Sequence, residues 1–226
     1  MKRIISTLML ALAVVMFTPW ALAAEEEPEA LSDIIEKEAW IVFIEEPAGY
    51  FQDARKEFLN SDLHAAAQDI LAGTVIMKLE AHRAKGEEKE ALKASIRELK
   101  KLAKTVEKGA VASGGILEEA FARAEIALAQ HHYQKALYYE TNKDYEKMAY
   151  ALDAAACHLL YASFWADGGL QEGEVVAIKR DRSFVRELIR EEAWAPKKMG
   201  HALKSIARGI QKLGKKIKPL KEKPEE

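Results

Sequence analysis

The chain has a single cysteine among its 226 residues, and this scarcity excludes several kinds of protein. One cysteine rules out an internal disulfide, and the lack of a Cys-x-x-Cys-His motif rules out covalently attached haem. Cys157 follows three alanines in an apolar stretch. We therefore expect it to be a small buried hydrophobe rather than a reactive thiol.

The sequence motifs of common enzyme classes are missing as well. The chain contains no Gly-x-Ser-x-Gly elbow, no phosphate-binding loop and no dinucleotide fingerprint. No histidine stands three residues after a glutamate, which excludes the helix-borne ligands of di-iron bundles. Neither sign of charge dominates, because 34 basic residues face 36 acidic ones, so we expect no binding to nucleic acid. These absences predict a protein that is not an enzyme and has no cofactor.

The start of the chain has the pattern of a secretory signal peptide. Lys2 and Arg3 precede an apolar run over residues 4–17, and Ala21-Leu22-Ala23 suits signal peptidase. The run is shorter than the ~20 residues that a membrane-spanning helix needs. We predict that residues 1–23 are a signal peptide cleaved near Ala23 and that the mature protein is periplasmic. A retained membrane anchor is the alternative.

Charge is distributed unevenly between the two ends of the mature chain. Residues 25–46 hold nine acidic residues and one basic residue, whereas residues 197–226 hold ten basic and three acidic. We interpret 24–47 as an acidic N-terminal segment and 219–226 as a disordered tail. Two interpretations stay open: both ends are solvated, or the acidic segment packs against the basic tail, within one molecule or between two.

The residues between these ends predict an all-α protein. Alanine, glutamate, lysine and leucine dominate, and apolar residues recur at steps of three and four. We expect helices over about 31–45, 50–59, 62–85, 87–108, 116–141 and 144–165, with Pro47-Ala48-Gly49 ending the first. Residues 171–218 should form C-terminal helices with a heptad pattern.

Residues 48–170 contain an internal duplication at an offset of 82 residues. Asn60-Ser61-Asp62 in the first copy matches Asn142-Lys143-Asp144 in the second, and each triplet lies between two helical segments. Asparagine tolerates the left-handed conformation that ends a helix, and the aspartate can cap the next helix. The sequence thus predicts an up-and-down helical bundle of two related hairpins plus an amphipathic C-terminal helix.

Each copy, with its Asn-x-Asp turn and a downstream alanine, resembles a tetratricopeptide hairpin, although the offset is 82 residues rather than 34. Residues 54–165, as alanine-rich hairpins after a signal peptide, more closely resemble the YfdX-like proteins and similar exported all-helical families. This resemblance implies a stress- or envelope-associated helical protein without a known catalytic site. It assigns no role to any residue.

The last predicted helix has the sharpest periodicity in the chain. Six apolar residues alternate at steps of four and three: Met199, Leu203, Ile206, Ile210, Leu213 and Ile217. Gly200 and Gly214 lie beside this seam and would allow another helix to approach closely. We expect this seam to dock on the protein's own bundle or on a second copy of the chain, and we take its six residues as candidate partner-binding residues. A basic amphipathic helix on an anionic membrane surface is the alternative.

Histidines are the only candidate ligands for a metal or a haem. His131 and His132 are adjacent and project ~100° apart, so they do not serve one metal together. In a hairpin that turns near Lys143, His132 and His158 come within ~6 Å of each other along the helix axis. A metal or haem site on His132 and His158 is therefore one hypothesis, and two ordinary buried histidines are the alternative.

Aromatic residues concentrate in the second hairpin, and core packing accounts for most of them. Tyr139 and Tyr150 are further candidate partner-binding residues, because tyrosine favours interfaces. The leading functional hypothesis is a non-catalytic periplasmic protein that binds or scaffolds another protein under envelope stress. The alternatives are a metal- or haem-binding bundle and association with a membrane surface through the C-terminal helix. The expected partner is a protein or a second copy of the chain.

Overall fold

A computed structural model describes residues 37–217, with side chains described from Ile44 onward. Its seven helices are α1 (Lys37–Leu59), α2 (Leu63–Arg83), α3 (Gly86–Glu107), α4 (Gly114–Asn142), α5 (Tyr145–Trp165), α6 (Glu172–Glu191) and α7 (Pro196–Lys216). The predicted signal peptide, most of the acidic segment and the predicted tail at 219–226 lie outside the described residues. The described range contains helices and no strand, which confirms the prediction of an all-α bundle.

Helix α1 runs through Pro47, so the prediction that a helix ends at Pro47-Ala48-Gly49 is wrong. An internal proline removes a backbone hydrogen bond and costs about 3 kcal/mol. Burial offsets that cost, because one apolar face continues on both sides of the proline: Ile44, Ala48, Phe51 and Ala54 are all buried.

The α1–α2 and α4–α5 hairpins have matching turns. Asp62 and Asp144 each accept a hydrogen bond from the backbone N–H three residues later, at 3.0 and 3.2 Å, so both predicted caps form. The left-handed residue is the one after each asparagine, with φ of 66° at Ser61 and 58° at Lys143. The prediction that placed the asparagine itself in this conformation is one residue too early.

The duplication extends to a third helix. Helices α2 and α5 both have 21 residues and begin at 63 and 145, positions that differ by 82. Gly86 and Gly168, also 82 residues apart, have positive φ angles of 57° and 62°, Gly86 as the first residue of α3 and Gly168 in the turn before α6. Helix α7 begins at Pro196, 82 residues after the first residue of α4. The repeat unit is therefore three helices, and α7 stands where the first helix of a third copy would begin.

Two hydrophobic cores lie along the bundle, and both use α4. The first holds buried residues of α1 to α4 together with Trp165, and the second holds buried residues of α4 to α7. Leu128 belongs to the first core and the next residue, Ala129, belongs to the second. The C-terminal helices thus share a core with the duplicated hairpins. Among residues 37–217, no helix has both the length and the hydrophobicity needed to span a membrane.

Among the glycines of helix α7, Gly209 and not the predicted Gly200 or Gly214 is the one that lies close against neighbouring helices. A Cβ atom at position 209 would lie 2.7 Å from Leu159 Cδ2 and 3.2 Å from Ile178 Cδ1. A Cβ atom at position 214 would have no neighbour within 4 Å. The missing side chain of Gly209 is what allows α7 to pack on α5 and α6.

We expect Gly209→Ala to lower the free energy of unfolding by about 1–3 kcal/mol, since Leu159 is fully buried and has little room to move. Gly214→Ala in the same helix should instead raise it by up to about 1 kcal/mol, because alanine favours a helix over glycine. Urea denaturation followed by circular dichroism measures both. Effects of the same sign would contradict the packing of α7 at Gly209.

Candidate functional site

Three histidines from two helices meet in the interior of the bundle. His131 and His132 lie on α4 and His158 lies on α5, each at most 4% exposed. The rings of His132 and His158 are stacked, with centroids 5.4 Å apart and planes 11° apart. The ring centroid of His131 lies 5.2 Å from that of His132. The structure therefore brings together the two histidines that the hairpin geometry predicts to be close.

Two buried carboxylates hold the outer histidines of this group. His131 Nε2 lies 2.9 Å from Glu80 Oε2 on α2, and His158 Nδ1 lies 2.7 Å from Glu125 Oε2 on α4. In each pair the histidine nitrogen donates to the carboxylate when the tautomer places a proton on that nitrogen. We call Glu80, Glu125, His131, His132 and His158 the buried histidine cluster.

The middle histidine has no such partner, since His132 Nδ1 makes no hydrogen bond to any described residue. Burial lowers the pKa of His132 well below its usual 6.5, against the attraction of the Glu80 carboxylate. Burial alone would raise the pKa of Glu80, but the hydrogen bond to His131 and the charge of Lys135 hold it well below 4.5. At neutral pH the cluster thus contains an ionised Glu80 and an uncharged His132.

The cluster does not have the geometry of a metal or haem centre. A metal takes the lone pair that lies in the plane of each imidazole ring. Because the rings of His132 and His158 are nearly parallel and stacked, their in-plane lone pairs do not converge on one point. In the part of the chain that the structure describes, no three histidine, cysteine, aspartate or glutamate side chains form a group that could hold a metal ion. The burial of all five cluster residues also keeps a dissolved substrate away from them in this structure.

A second polar group, centred on the buried Asp153, joins α1, α5 and α6, and the sequence reasoning missed it. Asp153 Oδ1 accepts hydrogen bonds from the Nε atoms of Arg182 and Arg186 at 2.8 and 2.9 Å. Glu45 Oε1 accepts from the Nη2 atoms of the same two arginines at 2.8 and 2.7 Å. We call these four residues the arginine clamp. Its sequence signal was an aspartate inside the alanine-rich run of α5, where every neighbour is apolar.

The arginine clamp pairs two carboxylates with two guanidinium groups, all through Asp153 Oδ1 and Glu45 Oε1. Burial by itself raises the pKa of Glu45, but hydrogen bonds from Arg186 and Arg182 lower it overall, so the carboxylate stays ionised. Cys157 lies one turn after Asp153 and is fully buried. Burial raises the pKa of its thiol far above the usual 9.0, which fits the expectation of an unreactive hydrophobe.

The predicted partner-binding residues of α7 lie in the second core of the chain itself. Met199, Leu203, Ile206, Ile210 and Leu213 are buried there, and Ile217 packs partly buried against both cores. Their assignment to a partner surface is corrected: the heptad seam docks on the protein's own bundle. For the same reason α7 presents no free apolar face to a membrane in this structure. Tyr139 and Tyr150 are partly buried against the second core.

An exposed apolar row lies on α2. Leu71, Val75 and Leu79 follow one another at one-turn intervals and are 43%, 52% and 38% exposed. We call these three residues the α2 apolar row. Residues four apart in a helix lie on the same side, so the three side chains form a continuous aliphatic surface.

A basic groove lies between α2 and α3. It is a cavity of about 350 Å³ whose lining includes five basic residues: Lys78, Lys89, Lys93, Arg97 and Lys100. Ala81 and Ile96, both buried, form its apolar floor, and His82 completes the lining. We call this cavity the α2–α3 groove. The sequence did not predict it, because its residues come from two helices whose relative register only the packing sets.

These surfaces and buried clusters have to be interpreted from their own chemistry. The chain matches no protein-family model, no curated protein and no solved structure.

Proposed function

We propose that this chain is a non-catalytic helical protein that binds another protein in the periplasm, and that the α2 apolar row makes the contact. The row carries the proposal: three aliphatic side chains on adjacent turns stay partly in water while Ile70, Met77 and Ala81 of the same helix are buried. Covering three half-exposed aliphatic side chains would contribute roughly 2–4 kcal/mol before the cost of association. The row suits a contact with an apolar side chain or helix of a partner.

The periplasmic address in this proposal rests on the leader pattern of residues 1–23. A role under envelope stress rests on the resemblance to YfdX-like proteins, and it stays a prediction. The two alternatives have less support. The stacked rings of His132 and His158 do not converge on a metal, and the apolar side of α7 is buried in the second core.

Site-specific crosslinking tests the proposal. We expect a photo-crosslinking amino acid at Val75 to give a product of defined mass with a second protein in the envelope fraction of the native cells. The matched control is Val176 on α6, which is 58% exposed against 52% for Val75, and which should give no such product. Leu71→Ser with Leu79→Ser should remove the product at Val75 while the circular-dichroism spectrum is retained.

Two results would count against this assignment. Equal crosslinking at Val75 and Val176 would show that exposure alone, and not the α2 apolar row, produces the contact. A product of twice the mass of the chain would show that the partner is a second copy of this chain and not a second protein.

A further inference from the structure

The α2–α3 groove continues from the α2 apolar row along the same side of α2. Lys78 follows Leu71 by seven residues, and His82 follows Val75 by seven. Seven residues are close to two helical turns, so each pair lies on one side of the helix. One end of this surface is therefore aliphatic, and the other end is basic with an apolar floor.

We propose that the α2–α3 groove binds an acidic amphipathic helix of the partner protein, whose apolar residues cover the α2 apolar row. This proposal rests on the proposed function and names the chemistry of the partner. An acidic amphipathic helix places leucine-type residues and carboxylates side by side, which is the pattern that complements the row and the groove.

Charge complementarity carries the choice of an acidic segment. Five basic residues line the groove and no acidic residue does. Lys93 forms an ion pair with Glu90 at 2.9 Å. Lys78 and Lys100 form no ion pair with any side chain that the structure describes, which are those of residues 44–217. A ligand carboxylate would supply the missing counter-charge. The buried Ile96 on the floor and the methylene stems of the lysines would contact the apolar part of the same segment.

The residues of the groove argue against a nucleic acid as the occupant. Proteins that bind single strands stack the bases on several aromatic side chains, and the groove lining includes no phenylalanine, tyrosine or tryptophan, with His82 as its one aromatic ring. The chain as a whole has a formal net charge of −2, so the positive surface is local rather than general. A local basic groove beside an aliphatic row fits a short acidic protein segment better than a long polyanion.

Binding of designed peptides to the full chain tests the inference. The probe is an 18-residue helical peptide with leucines on one face and glutamates on the other, and its partner peptide has lysine at every glutamate position. We expect fluorescence anisotropy to show about tenfold or tighter binding of the glutamate peptide, with an affinity that falls as salt rises. A peptide of the same composition in scrambled order, which has no apolar face, should bind weakly.

Matched variants assign the binding to the groove. Lys93→Glu with Lys100→Glu should lower the affinity for the glutamate peptide by about tenfold or more. Lys93→Arg with Lys100→Arg should leave that affinity nearly unchanged. Lys179→Glu with Lys197→Glu makes the same change of net charge on α6 and α7 and should have little effect. Leu71→Ser with Leu79→Ser should lower the affinity for both peptides.

The outcomes separate the two proposals. Equal binding of the glutamate and lysine peptides, lost in the Leu71→Ser and Leu79→Ser variant, would overturn the acidic partner and leave the proposed function standing. Binding of neither peptide would overturn both. Tighter binding of inorganic polyphosphate than of the glutamate peptide would assign the groove to a polyanion and overturn the inference.

Discussion

Replacing Asp153 by alanine should lower the free energy of unfolding by about 3–5 kcal/mol, the largest single effect that we expect in this bundle. Asp153 is fully buried, and its Oδ1 accepts hydrogen bonds from Arg182 and Arg186 at 2.8 and 2.9 Å. Alanine would leave two guanidinium groups next to a cavity, with only the partly exposed Glu45 to balance their charge. A buried charge that loses its partner keeps its desolvation cost and loses the attraction that offset it.

Urea denaturation followed by circular dichroism measures this loss of stability. Two further variants test whether the buried charge causes it. Glu45→Ala removes the other carboxylate of the arginine clamp, but water reaches this site, so its cost should be clearly smaller. Changing Asp153, Arg182 and Arg186 together to leucine removes the buried charges as a set and should recover most of the stability lost in Asp153→Ala. If Glu45→Ala costs as much as Asp153→Ala, burial of Asp153 does not determine the strength of the clamp.

Local signals in the sequence predicted most of the helices, because a helix end depends on a few neighbouring residues. Asp62 and Asp144 cap α2 and α5 as expected, and Gly86 adopts the positive φ of a helix break. The exception is Pro47, where a local signal predicted an end and the buried face of α1 outweighed it. Packing between residues far apart in the sequence decides such conflicts, and a single sequence does not show which of those residues come into contact.

The candidate sites divide in the same way, into contacts that local signals predict and contacts that depend on long-range packing. His132 and His158 were predicted to be close, because a hairpin with a known turn fixes which residues lie opposite each other. The contact of Glu80 with His131 joins residues 51 positions apart on helices that are not neighbours in sequence, so no spacing rule predicts it. The seam from Met199 to Leu213 shows the remaining limit. A heptad pattern indicates that a face is buried but does not identify the molecule that buries it.

The buried histidine cluster should make the protein less stable in mild acid. Burial lowers the pKa of His132 in the folded chain below its usual 6.5, so below that pH the unfolded chain binds a proton that the folded chain does not. Stability is then fully present above pH 6.5 and falls with decreasing pH, by at most about 1.4 kcal/mol per pH unit for one proton. Between pH 6.5 and 5 the loss reaches about 2 kcal/mol. Glu80 loses its own contribution only below its usual pKa of 4.5, outside this window.

The groups around His132 determine how strong this effect is. Glu80 on α2 favours the charged imidazole, whereas Lys135 and His131 on α4 and His158 on α5 oppose it together with burial. Protonation would therefore place a buried charge beside two other rings in the interior, where the attraction of Glu80 does not offset the cost of burial and His132 Nδ1 has no hydrogen-bond partner among the described residues. The Glu125 carboxylate is paired with His158, 2.7 Å from its Nδ1, and is not hydrogen-bonded to His132.

His132→Leu removes the titrating group and tests the linkage directly. Urea denaturation at pH 7.5, 6.5, 5.5 and 5.0 should show a stability curve flatter than that of the unchanged chain by up to about 1.4 kcal/mol per pH unit. His201→Gln, at an exposed position on α7, should leave the slope unchanged. Nitrogen chemical shifts of His132 in the unchanged chain give a second readout and should stay those of a neutral imidazole at pH 5.5. Parallel stability curves, or a protonated His132 signal at that pH, would contradict a buried neutral histidine.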